Sequence, residues 1–139
     1  MNYTQIDCST ILVHSGSNLD GMLAAHPEIR RFILQSGEYH IHDKFLVDRE
    51  DVIIRSETGN AADVNIFQDD PTKDSFVLNY ADRSKLRNIS IHNRHPGRVA
   101  LTVASVNHSQ VRGCKIYGNQ TTFSVYYAGP KELTEGAGT

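Results

Sequence analysis

No apolar run in this chain approaches the roughly 18 residues that a membrane-crossing helix needs. Its opening, MNYTQIDCSTILVHSG, lacks a basic segment followed by an apolar one, so no signal peptide is expected in the sequence as it stands. Charge of one sign is missing too. Against 16 Asp and Glu stand 14 Lys and Arg, a formal net charge of -2, which gives no bias toward polyanions and makes nucleic acid a poor default partner. Cysteine is scarce. Cys8 and Cys114 stand far apart, outside any CxxC or Cys/His cluster, and read as two unrelated thiols. The glycine-rich patterns of dinucleotide and P-loop sites do not occur, so no cofactor motif is present.

The 139 residues, 39% hydrophobic and 22% charged, suit one soluble domain with a single modest core. YTQIDCSTILVH reads as a short strand. In SGSNLDGMLAAHPEIRRF, Ser17 or Asn18 can cap a helix over about Asn18 to His26, with Leu19, Met22, Leu23 and Ile29 near helical spacing, Gly21 weakening it and Pro27 ending it. From Phe32 the period changes to two. Short alternating runs follow one another, DVIIRS, DVNIFQ, SFVLNY, NISIHN, VALTVAS, GCKIYGN and TFSVYYA, broken by Gly, Asn, Asp, Ser or Pro. No helical window follows Glu28, so the chain reads as all-β with one helix near its start.

A repeat decides the architecture. DRSKLRNISIHN and SVNHSQVRGCKIYGN share a phrase that places Ile89, Ile91 and His92 each 25 residues before Cys114, Ile116 and Tyr117. One such interval is a coil of a β-solenoid: three short strands and three bends lift the chain by one strand spacing, about 4.8 Å. DVIIRS is assigned to the same column, 37 residues before NISIHN, with the surplus in the loops SETGNAAD and DDPTKD. Asn-Gly and Asp-Gly hairpin turns are missing between the strands, which speaks against a sandwich.

RRFILQSGEYHI, EDVIIRSETG, SKLRNISIHN and SQVRGCKIYGN resemble the first coils of right-handed parallel β-helix proteins, the pectate-lyase-like superfamily. The resemblance covers roughly Ile11 to Ala128. It implies a right-handed parallel β-helix with residues 1–30 as strand and capping helix, 31–128 as coils, and 129–139 as a polar tail or the start of another coil. It also favours an extracellular or cell-surface location. The last residues, YYAGPKELTEGAGT, offer no apolar stripe to close the far end. A partner chain covering that end, or further coils beyond it, is the expectation.

Alternation sorts the outer residues. Ile53, Ser90 and Lys115 form one expected outward column, and Arg55, His92 and Tyr117 a second. Arg55, His92, Lys115 and Tyr117 then make a cationic strip whose guanidinium would hold a uronate carboxylate while His or Tyr moves a proton. The superfamily's lyases and C5-epimerases are similar in using basic residues and Tyr on such a strand face, often with Ca2+. An acidic polysaccharide is accordingly the expected partner, and lyase or epimerase chemistry the expected activity. A non-catalytic glycan-binding or adhesion module, such as part of a tailspike, is the alternative, and a solvated strand face is the competing account of the four residues.

Asp69 and Asp70, with Asp63 and Asp74 nearby, are the candidate Ca2+ ligands by residue type, although their spacing matches no EF-hand. Paired carboxylates also suggest a glycosidase, but the Asn-Thr-Asp and Gly-His-Gly motifs of polygalacturonases are missing. His40 and His42 flank Ile41 without an evident third ligand. The bend residues Asn107 and Asp82 are read as structural. Asn-x-Ser/Thr at Asn2, Asn88, Asn107 and Asn119 follows from Asn-rich bends.

Overall fold

The computed structural model describes residues 2–104, 106, 108–118, 125–128 and 137–138, the last two stretches as backbone. Asn107, Asn119 and the greater part of the expected tail lie outside the described residues. The chain is an all-β parallel solenoid of about four turns, with three sheets running along its axis. The first sheet holds β1 (Tyr3–Asp7), β2 (Thr10–Val13), β3 (Arg31–Leu34), β6 (Ile53–Ser56), β9 (Lys85–Arg87) and β12 (Gln110–Arg112), in that order. The second holds β4 (Gly37–Ile41), β7 (Val64–Gln68), β10 (Ser90–Asn93), β13 (Lys115–Gly118) and β15 (Ala137–Gly138). The third holds β5 (Phe45–Val47), β8 (Phe76–Asn79), β11 (Leu101–Ala104) and β14 (Val125–Ala128). Every pairing is parallel except that of β1 with β2.

Period-two alternation turns into columns. Ile11, Phe32, Ile54, Leu86 and Val111 sit one above another inside the first sheet, while Tyr39, Ile66, Ile91 and Ile116 do so inside the second. Phe45 and Phe76 stack in the third with centroids 4.5 Å apart. All of these belong to one buried core, which is what a single-layered coil needs in order to remove its inner faces from water. The interior bends are satisfied by short polar side chains. Ser84 Oγ donates to Arg49 O and accepts from Val52 N, and the buried amides of Gln68 and Asn93 donate to Asp43 O and Asp74 O and to Lys73 O. The amides that reach inward thus stand at the last positions of second-sheet strands.

The 25-residue period holds: Ser90, Ile91 and His92 pair with Lys115, Ile116 and Tyr117. The place given to DVIIRS does not. β10 pairs with β7, putting Asn65, Ile66 and Phe67 opposite Ser90, Ile91 and His92. β6 belongs to the first sheet and pairs with β3 and β9. The physical reason is the period itself. DVNIFQ lies 25 residues before NISIHN and needs no surplus loop, whereas the longer coil, Ile53 opposite Lys85, carries its extra length between β6 and β7, in the segment that ends in the 3-10 turn at Ala61–Asp63.

Two further corrections concern the start of the chain. YTQIDCSTILVH is a hairpin, its turn held by Asp7 Oδ1, which accepts from Ser9 N at 2.9 Å. The helix is a single turn, α1 (Met22–Ala25), entered from Gly21 at φ 72 without a side-chain cap. That left-handed residue breaks the helix upstream. Ser17 Oγ instead donates to His14 O and Asn2 O, and Asn18 Oδ1 accepts from Asp20 N. Leu19, Met22, Leu23 and Ile29 are nonetheless all buried, so the segment covers the open end of the core. It is pinned by Arg49, whose guanidinium donates to Leu23 O at 2.8 Å, to His26 O at 3.0 Å and to Ile29 O.

Candidate functional site

Two outward faces carry side chains with chemistry. On the second sheet the rings of His40, Phe67, His92 and Tyr117 stack from coil to coil, with centroids 5.4, 4.4 and 4.5 Å apart. The guanidinium of Arg94 lies 5.7 Å from the Tyr117 ring centroid. In-register parallel pairing forces this arrangement, since equivalent residues sit one strand spacing apart. The ring faces are largely spent on one another, which leaves edges toward solvent.

His92 Nε2 lies 2.9 Å from Asn65 Oδ1. A carbonyl oxygen only accepts, so this nitrogen carries the proton. Burial between the rings, reinforced by Arg94, pushes the His92 pKa down, keeping the imidazole neutral. His40 behaves oppositely. Its Nδ1 is 2.8 Å from Asp69 Oδ1, and that hydrogen bond raises its pKa. The two histidines should therefore titrate on opposite sides of 6.5, His40 above and His92 below. His40 favours the folded chain below the unfolded value and loses that contribution as pH rises through its folded pKa; His92 favours it above the unfolded value and loses it as pH falls. Imidazole proton shifts followed by NMR would check this, and Asp69→Asn should bring His40 back toward 6.5.

The structure brings His92, Lys115 and Tyr117 together on this face and puts Arg55 on another sheet. Ser90, expected to point to solvent beside Lys115, is buried, its Oγ donating to Ala61 O at 2.6 Å. The 3-10 turn covers that position. Phe67 and Asn65 complete the face in place of Arg55. Their signal was the second 25-residue interval, from Ile66 to Ile91.

The candidate Ca2+ ligands are occupied by local structure. Asp70 Oδ1 closes its own turn, accepting from Thr72 N at 2.8 Å and Thr72 Oγ1 at 2.7 Å. Asp69 pairs with His40 and, at 3.6 Å, with His42, while Asp63 Oδ2 accepts from Thr58 Oγ1 and Asp74 Oδ1 from Val99 N. Asp20 holds the other side of His42. Among the described residues no three His, Cys, Asp or Glu side chains converge as a metal ion would require. Cys8 is exposed and Cys114 buried, both free thiols.

The first sheet carries the stronger electrostatic feature. Its outward column runs Ile33, Arg55, Arg87, Arg112, and Lys85 stands in the neighbouring column between Ile53 and Gln110. Three guanidinium side chains thus emerge from successive coils. Arg55 Nη1 donates to Ser56 O at 3.1 Å and Arg87 Nη2 to Gln110 Oε1 at 3.2 Å. Arg87 Nε is shielded from water without a hydrogen-bond partner. Among the described residues neither Arg55 nor Arg87 forms an ion pair with a carboxylate, whereas Arg83, on a nearby bend, is held by Asp51 at 2.9 Å and Glu50 at 3.3 Å. Like charges on directly opposed strand positions are destabilising, so the stacking of Arg55 on Arg87 without a carboxylate beside either carries a cost that a bound anion would offset. The chain matches no protein-family model, no curated protein and no solved structure.

Proposed function

We propose that this β-solenoid binds an acidic polysaccharide along the outward face of its first sheet, as a glycan-binding module. The observation that carries the reading is the Arg55, Arg87 and Arg112 column. Each fork suits the two oxygens of a carboxylate, and strand spacing repeats the forks at about 4.8 Å along the axis, so an extended polymer with regularly placed acids can be read one rung at a time. Lyase or C5-epimerase chemistry is the less favoured form of the same partnership. A uronate gripped by Arg55 is not presented to His92 or Tyr117, which belong to the second sheet.

Retention on immobilised polygalacturonate and alginate tests the proposal. The double variant Arg55→Ala, Arg87→Ala should bind at least about tenfold more weakly, and added salt should weaken the original chain in the same direction. Arg83→Ala, which removes an arginine already engaged by acids, should leave retention unchanged. Undiminished retention of the double variant, or binding confined to nucleic acid, would overturn the proposal. Release of an unsaturated uronide would restore the catalytic reading.

A further inference from the structure

The outward face of the first sheet changes character along the axis. The column through Arg55 begins with Leu12 and Ile33, stacked coil on coil, before Arg55 and Arg87 take over. In the neighbouring column Ile53 stands beside Arg55 on β6, and Lys85 follows it one coil on. Leu12, Ile33 and Ile53 are each half-buried, so all three still show carbon to water. Arg31, paired with Ile53 from the coil before, is engaged by the hairpin, its Nη1 donating to Ser9 Oγ at 3.2 Å. Arg55 therefore stands on a border, with aliphatic carbon on one side and cations on the other. Among the described residues its guanidinium donates from Nη1 to Ser56 O, which leaves Nε and Nη2 for a ligand.

We infer that the ligand of this face is a mixed polysaccharide, in which an acid-bearing residue on Arg55 adjoins an uncharged residue lying on Ile33 and Ile53. Such a ligand narrows the polysaccharide reading above, on which it depends. A pyranose has a face of C–H groups and is close in length to the coil spacing of about 4.8 Å, so the ring next to the acid comes to lie over Ile33. An uncharged ring covers the aliphatic carbon and removes it from water. A second acid in that place would lose its hydration against carbon with no donor to replace it, which is costly. A homopolyuronate, acidic at every residue, meets that cost. A mixed polymer avoids it.

Two measurements on the full chain test the assignment. In the first, retention is compared on immobilised hyaluronan, whose uronates each adjoin an uncharged N-acetylated sugar, and on polygalacturonate. Hyaluronan should be held about tenfold more strongly, the low end of what an apolar contact discriminates. In the second, isoleucine methyl groups are isotopically labelled and followed by NMR. Hyaluronan should move the signals of Ile33 and Ile53 further than polygalacturonate does at matched saturation, while those of the core residues Ile66 and Ile91 stay in place with both.

Ile33→Arg extends the cationic column by one coil and should reverse the preference, strengthening retention on polygalacturonate and weakening it on hyaluronan. Ile33→Thr keeps a β-branched side chain suited to a strand and removes apolar carbon. It should bring the preference to within about twofold, while retention on polygalacturonate persists through Arg55. Urea unfolding verifies that both variants are folded. Equal retention of the two polymers by the original chain, or a preference that neither Ile33 variant alters, would overturn the mixed polymer and leave the polysaccharide reading standing. Retention of neither polymer would sink that reading and the mixed polymer with it, and capture by anionic phospholipid vesicles in that case would assign the face to a membrane surface.

Discussion

Replacing Ile91 with alanine is expected to cost about 2–5 kcal/mol of folding stability, the range for truncating a large aliphatic side chain in a packed interior. Ile91 is fully buried and lies between Ile66 and Ile116 in the inner column of the second sheet. A solenoid coil touches only the coils above and below it. The space left by the lost carbons therefore faces two neighbours already fixed by their own backbone ladders, and collapse to fill it is restricted. Ile91→Val should cost about 0.5–1.5 kcal/mol, and Leu46→Ala, at a position 38% exposed, within about 0.5 kcal/mol. Urea unfolding of the three variants checks the order. A cost below about 1 kcal/mol for Ile91→Ala, less than the range for a large-to-small core change, would mean that the coil relaxes around the gap and that the inner columns are not tightly packed.

The second large effect is expected at Arg49. Its guanidinium serves three carbonyls that close the capping segment, those of Leu23, His26 and Ile29, and it lies 5.7 Å from the centroid of Phe32. Bonds from a charged donor are worth about 1.5–3 kcal/mol each. Arg49→Leu removes all three and leaves the carbonyls at the end of α1 to find water, so a loss of about 3–5 kcal/mol is expected. Arg49→Lys keeps the charge but not the planar fork and should lie between. Hydrogen exchange separates this from a general loss of stability. The amides of 22–29 should lose protection first, ahead of those in β10 and β13. Uniform loss along the chain would show that the cap is not a separate unit.

The fold was legible because a solenoid writes its geometry as a period. Ile89, Ile91 and His92 set against Cys114, Ile116 and Tyr117 define one coil, and alternation sorts inside from outside wherever the outer face is open to water. What the period does not carry is the identity of a strand's sheet. Each coil holds three strands of similar appearance, and DVIIRS and DVNIFQ both have aliphatic residues at alternate places. Only spacing tells them apart, and the longer coil between β6 and β9 obscured it.

That single misplacement moved Arg55 onto the face of His92 and hid the arginine column. Arg87 and Arg112 are themselves 25 residues apart in the phrase SKLRNISIHN and its echo SQVRGCKIYGN, so the column was present in the repeat that defined the fold. Ser90 failed for a different reason. Alternation gives the direction of a side chain, not what lies over it, and the turn at Ala61–Asp63 that buries it comes from the preceding coil. The capping helix was recognised by its apolar residues, but its length was overestimated because Gly21 takes a left-handed conformation, which a Gly within a helical pattern does not announce.

The reversed strand β1 bears on how this molecule can meet its own kind. A parallel sheet whose last strand keeps the common direction is a template: an identical copy can dock by simple translation, and repetition of that step makes a fibre. On the first sheet that step would bring strands of opposite direction together. β1 runs against β2, and an incoming strand would meet the widely and closely spaced hydrogen-bond pairs of an antiparallel edge instead of the even ladder that joins the coils. The hairpin therefore reverses the polarity of that edge, so that a copy arriving there in the common direction meets a different ladder from the one that joins the coils.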